Sequence, residues 1–210
     1  MERKFKDFIK AKRKLEKNGL YKGIVAFGSA RIFEDNKHYQ EVVNIANLCA
    51  KRVLEKNKKI SFITGGGPAI MTAWLQGAYR KGIQTAGLFM PLQQEKELNK
   101  YAIKKISCVV ETLESRKAIL FEYAKCVVVF KGGYGTFDEI FALITLIRTG
   151  LMKPIPIFVY PADFYKDVFN FKNLLEEGTI NRQEAQMLTM CNTQEELLGN
   201  LYKFIDNDKD

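Results

Sequence analysis

Short apolar runs alternate along this chain with longer stretches in which apolar residues recur every three or four positions. The runs at residues 23–27, 60–63, 83–89, 106–110, 126–130 and 154–160 each predict a strand. The run at 126–130 is unbroken and β-branched, as expected of a central parallel strand buried on both faces. Helical periodicity covers residues 39–54, the stretch from Pro68 to residue 81, residues 111–125, and a long pattern from Thr136 to Gly150. Pro68 is expected in a first helical turn, and Gly82 and Gly150 are expected to stop their helices. Three further helical patterns, at residues 162–176, 182–189 and 193–205, close the chain. Strands alternating with helices at this spacing predict an α/β sandwich of three layers, with a mainly parallel central sheet and helices on both faces.

Charge changes this picture at one end only. The formal net charge is +9, but residues 2–18 hold eight Lys or Arg against three acids, so the remainder is mildly basic. Phe5, Phe8, Ile9 and Leu15 lie at helical spacing in that segment. It reads as a basic amphipathic helix that could touch RNA or a membrane, though such a helix more often packs one stripe on its own domain and solvates the rest, and that is the favoured reading. No base-reading motif accompanies it, so nucleic acid is an improbable partner, and its removal is expected to leave the chemistry elsewhere intact. No apolar stretch is long enough to span a bilayer and no signal-peptide core is present, which predicts a cytoplasmic protein without a membrane partner. Cys49, Cys108, Cys126 and Cys191 form no CxxC pair and read as small core hydrophobes. His38 is the only histidine and lies in a polar stretch, so no metal site and no Ser-His-Asp triad is expected. Chemistry must come from carboxylates, arginine or lysine.

In a parallel sheet, ligands bind beyond the carboxyl ends of the strands. Three loops fall there: Gly28-Ser29-Ala30-Arg31, Gly65-Gly66-Gly67-Pro68 and Gly132-Gly133-Tyr134-Gly135-Thr136. None is a good dinucleotide fingerprint, since Ile70 stands where a third glycine would be needed, and no GxxxxGK[ST] loop exists. Glycines before a helix still suit a phosphate, which would meet backbone amides at the positive end of the helix. Thr136 and Glu139 fit a capping box as well as they fit a ligand site. Three glycines and the adjacent carboxylates Asp138 and Glu139 favour the site.

The run Lys131-Gly-Gly-Tyr-Gly-Thr-Phe-Asp-Glu139 resembles the PGGxGTxxE signature of the lonely-guy (LOG) family, long labelled lysine decarboxylases. Glu114-Ser-Arg-Lys117, the early Gly-Ser-Ala-Arg and the Thr-Gly-Gly-Gly-Pro run match that family too. The resemblance spans residues 23–160 and implies a Rossmann-like nucleotide-binding domain at residues 21–210, preceded by the basic helix of residues 1–20. It implies a phosphoribohydrolase that needs no cofactor and cuts the N-glycosidic bond of AMP or its N6-modified cytokinin forms, releasing base and ribose 5-phosphate. Arg116 and Glu139 would be the catalytic pair. Gly132, Gly133, Tyr134, Gly135 and Thr136 would surround the phosphate, with Lys117, Gly66, Gly67, Ser29 and Thr145 completing the substrate site. Family members are dimers with sites near the subunit boundary, where Thr145 and Arg148 would lie close to the ligand. A non-catalytic nucleotide or cofactor carrier is the rival reading. Two positions depart from the family: Lys131 replaces the signature proline, and Gln93 stands where many relatives carry glutamate. A pyridoxal-phosphate lysine in a His-Lys context is missing, because a tyrosine follows His38.

Overall fold

The computed structural model describes residues 2–91 and 98–209, the side chains of residues 2–5 excepted. Gln93 and the side chain of Phe5 lie outside the described residues. The elements in chain order are α1 (Glu2–Lys17), β1 (Gly23–Phe27), α2 (Lys37–Glu55), β2 (Ser61–Thr64), α3 (Ile70–Tyr79), β3 (Thr85–Phe89), β4 (Cys108–Val109) and α4 (Leu113–Tyr123). There follow β5 (Ala124–Val129), α5 (Tyr134–Arg148), β6 (Ile157–Val159), α6 (Ala162–Tyr165), α7 (Lys172–Glu176), α8 (Arg182–Ala185), β7 (Thr189–Met190) and α9 (Gln194–Asn207).

The strands form one parallel sheet in the order β4-β3-β2-β1-β5-β6-β7. Its direction of growth reverses at the β1–β5 seam, where Val25 pairs with Val127 and Phe27 with Val129. The apolar runs are buried on both sides because alternate residues feed two separate cores. Ile24, Phe62, Cys126 and Val128 face α2, α3 and α9, while Val25, Ile63, Val127 and Val129 face α1, α4 and α5. The four cysteines are buried and free. Burial raises every one of these thiols, that of Cys108 to about 11, which leaves them protonated and inert at neutral pH.

The basic helix is part of this packing. Ala11 and Leu15 of α1 are buried, Leu15 completely, and Phe8 packs beside them. Lys12 Nζ bonds Glu122 of α4 at 3.0 Å, which holds that carboxyl below its usual range although burial pushes it up. Asp7 accepts the Glu111 amide at 2.8 Å, just ahead of α4. Truncating Leu15 to Ala is therefore expected to lower the unfolding free energy by about 2–5 kcal/mol, readable from the denaturant midpoint. Deleting the first 18 residues should destabilise the α4 face rather than leave the rest unaffected.

Several boundaries differ from the periodicity. The single helix expected at residues 162–176 is two short ones, because Phe169 turns inward to stack on Tyr165 and the Asn170 side chain accepts the Lys172 amide. The helix expected at residues 182–189 ends at Ala185, and the chain then adds β7 at the sheet edge. Pro68 is not in the first turn of α3. The helix starts at Ile70, after Ala69 at φ 59°, a left-handed conformation that is strained for a side chain bearing Cβ.

Candidate functional site

All three glycine loops lie at the carboxyl edge of the sheet, and backbone hydrogen bonds link the loop after β1 to the loop after β5 and to the start of α3. Ser29 donates its amide to the Lys131 carbonyl at 2.8 Å and accepts the Ile70 amide at 3.1 Å, so the loop after β1 bridges the loop after β5 and the start of α3. The Ser29 hydroxyl accepts the Arg31 amide at 3.0 Å. Gly28 is required by close approach: a methyl group there would sit 2.4 Å from the Ile70 side chain. Gly66 is the glycine of these loops that needs a positive φ, at 79°. Gly67 offers its carbonyl to Thr72 and Asn99.

The loop after β5 departs from the capping-box expectation. Gly133 is the N-cap of α5, three residues earlier than the expected Thr136, and no side chain caps this terminus. Thr136 is buried inside the first turn, pressed against Gly132, where a methyl group would lie 2.1 Å from its hydroxyl. None of Gly132, Gly133 and Gly135 has positive φ. Gly132 serves contact with Thr136, whereas Gly133, Tyr134 and Gly135 are exposed. An exposed helix start without a side-chain cap leaves first-turn amides for an anion. The α3 terminus, by contrast, gives the Ile70 amide to Ser29.

Helices α4 and α5 bring the charged residues to this loop. Thr112 caps α4 by accepting the Ser115 amide, which fixes the first turn that carries Arg116 and Lys117. Arg116 is half-buried, with its Nε buried, and its guanidinium lies over Gly65: a methyl group there would be 3.5 Å from a terminal nitrogen. Glu139 is half-buried on α5. Lys117 Nζ bonds both oxygens of Asp138 at 2.8 Å, tying the two helices at the residues next to Arg116 and Glu139. Thr145 is elsewhere. It is exposed nine residues further along α5, about 13 Å from Thr136 at helical rise, and its hydroxyl bonds the Phe141 carbonyl. Arg148 reaches Glu184 at 3.7 Å.

His38 lies within this architecture, although its polar sequence neighbourhood did not mark it. Only 3% exposed, it sits beneath the start of the glycine loop, where its Nε2 accepts the Lys131 amide at 3.3 Å and its Nδ1 contacts Glu41 at 3.2 Å. The Lys131 ammonium points away, over the Phe164 ring. Tyr165 donates its hydroxyl to the Phe130 carbonyl at 2.6 Å. Among the described residues no group of three or more His, Cys, Asp or Glu could hold a metal, and no helix is long and apolar enough to cross a membrane.

A family model described as possible lysine decarboxylase matches residues 71–201. The chain is 24% identical over 155 residues to a probable cytokinin riboside 5′-monophosphate phosphoribohydrolase of Arabidopsis thaliana, an alignment covering 72% of this chain and 76% of that one. A second such Arabidopsis phosphoribohydrolase is 21% identical over 192 residues, covering 90% and 85%. Among solved structures, the molybdenum cofactor carrier protein of Chlamydomonas reinhardtii superposes with a TM-score of 0.56 at 16% identity, covering 88% of this chain and 98% of that one. A molybdenum cofactor binding protein from Rippkaea orientalis gives 0.55 at 17%, covering 87% and 95%. These two likenesses establish a shared fold.

Proposed function

The chain belongs to the lonely-guy family, whose model is described as possible lysine decarboxylase, and from that premise we propose that it is a phosphoribohydrolase of AMP or N6-modified nucleoside 5′-monophosphates. The observation that carries the reading is the uncapped start of α5, with Glu139 on its second turn and the Arg116 helix locked beside it. The 5′-phosphate sits against the amides of Gly133, Tyr134 and Gly135, with Ser29, Gly66 and Gly67 forming the opposite wall. Breaking the glycosidic bond builds positive charge on the ribose, and the Glu139 carboxylate stabilises that charge and orients the attacking water. Arg116 holds phosphate or leaving base with a forked pair of donors that lysine does not reproduce.

Incubating the protein with AMP, GMP, CMP and N6-isopentenyl-AMP, and measuring free base with ribose 5-phosphate, tests this. Base release from the adenine nucleotides is expected. Tight nucleotide binding without base release would select the carrier reading, since a carrier has no use for a carboxylate aimed at the ribose.

The same reading includes a homodimer through α5. Ile140, Leu143 and Ile147 are buried in the chain's own core, and Phe137 packs on Tyr165 and Phe169, so the helix is covered on much of its circumference. Phe141 remains 44% exposed on the face that carries Thr145. Leu146 packs against its own core, which makes Phe141 the better place to test an interface. Light scattering should give about twice the 24.1 kDa chain mass, and Phe141→Asp should reduce it to that mass. A wild-type mass of one chain would overturn the dimer.

A further inference from the structure

At the start of the glycine loop, consecutive backbone groups are held by three different elements. The Phe130 carbonyl accepts from Tyr165 after β6, the Lys131 carbonyl accepts from Ser29 after β1, and the Lys131 amide is received by His38 of α2. Two of these tethers cannot titrate near neutral pH, and the third is an imidazole. A backbone amide only donates, so Nε2 of His38 must carry a lone pair, and the ring proton belongs on Nδ1, donated to Glu41 Oε2. Protonation would set two N–H groups against each other across 3.3 Å and break the bond to Lys131.

The family signature has proline at position 131, which fixes the backbone and offers no amide. Lysine at this position supplies the N–H that His38 takes up. We propose that His38, neutral and protonated on Nδ1, is the positioning residue that orders the start of the glycine loop, and that the loop's affinity for anions falls when this imidazole gains a proton. The proposal rests on the phosphate-loop reading above and adds a regulation of that site.

The surroundings set the direction of titration. Phe130 and Tyr160 pack on the ring at 6.0 and 5.9 Å, and burial is the largest influence, lowering the pKa from 6.5. Glu41 opposes this through its hydrogen bond and charge, and the Lys131 ammonium reinforces it. Lys37 lies 3.8 Å from Glu41, and the Tyr160 hydroxyl also reaches Glu41, at 3.4 Å. Glu195 acts on Tyr160 from α9. With the folded value below the unfolded one, the unfolded chain binds more protons in the window between them. This group's contribution to stability is thus complete above about pH 6.5 and is lost as pH falls through the folded value.

Because His38 is the only histidine, its ring resonances report it alone. Nitrogen-15 NMR of the full chain at neutral pH should show the Nδ1–H tautomer, against the Nε2–H form that prevails in water, titrating below the ordinary value. Sulfate, a dianion throughout this range, is the binding probe. Its affinity should fall by about fivefold more for the wild type than for His38→Gln when the pH is taken from about 7.5 to below the midpoint that the NMR titration gives for His38, the size of one lost hydrogen bond. Glutamine keeps an acceptor for the Lys131 amide and has no proton to gain. Lys131→Pro, which removes the amide, should abolish the same pH dependence and raise the histidine towards its ordinary value.

An Nε2–H tautomer, a water-like titration, or equal pH dependence in wild type and His38→Gln would overturn the role of His38. No sulfate binding by the wild type, with the Nδ1–H tautomer intact, would overturn the phosphate-loop reading and the pH-dependent affinity with it.

Discussion

Glu139→Gln is expected to reduce base release from AMP by at least about a hundredfold while nucleotide binding persists. Losing one preorganised electrostatic partner of a developing charge costs about that much or more in turnover. The amide keeps the carboxylate's shape but carries no negative charge to oppose the ribosyl cation. The helix start should be undisturbed, because Gly133 occupies the N-cap position of α5 and Glu139 lies on the second turn, outside any capping box. Thermal melting of the variant should accordingly stay near wild type. Single-turnover assays decide the matter, and turnover within a few-fold of wild type would remove Glu139 from the chemistry.

Gly132→Ala should be nearly as damaging, through geometry rather than charge. The added methyl group would lie 2.1 Å from the Thr136 hydroxyl and 2.6 Å from its Cβ, so no rotation of the threonine relieves both contacts. Either the loop lifts away from the first turn of α5 or the turn itself shifts. We expect an overpacking cost of about 1–3 kcal/mol in stability, together with loss of measurable anion binding. Gly199→Ala, on α9 and outside the site, is the control. A methyl group there meets nothing within 4 Å, and its backbone φ is not positive. Wild-type affinity for AMP in Gly132→Ala would show that the packing of Thr136 does not shape the site.

The layered fold was legible because burial on both faces leaves a long-lived imprint: the run at residues 126–130 has no polar alternation, and it lies in the middle of the sheet. The edge strand Thr189–Met190 left none, being two residues long, one exposed and the other half-buried. The break at residues 166–171 was equally silent, since the same aromatic residues would serve a continuous helix or an inward turn. At the site, the glycine spacing located the loops but misassigned their reasons. Thr136 looks like a cap in one dimension and is a buried contact in three. His38 shows the limit most plainly: its neighbours Asn36, Lys37 and Gln40 are polar, and what buries it is Phe130 and Tyr160, far away in the chain. Periodicity carries no record of such partners.

The β1–β5 seam also dictates when the site comes into being. Ile24 and Cys126 are partners across it, about a hundred residues apart in the chain, so the two halves of the sheet meet by closing one large loop. The Ser29–Lys131 bond and the His38–Lys131 bond both cross that seam. Neither half of the chain holds the Ser29 and His38 contacts to the loop after β5 before the closure, however well its own helices have formed. A nascent chain released only as far as β4 would own Ser29, Gly66 and Gly67 but neither β5 nor the loop after it, so the site proposed above could assemble only once β5 has been made and paired with β1.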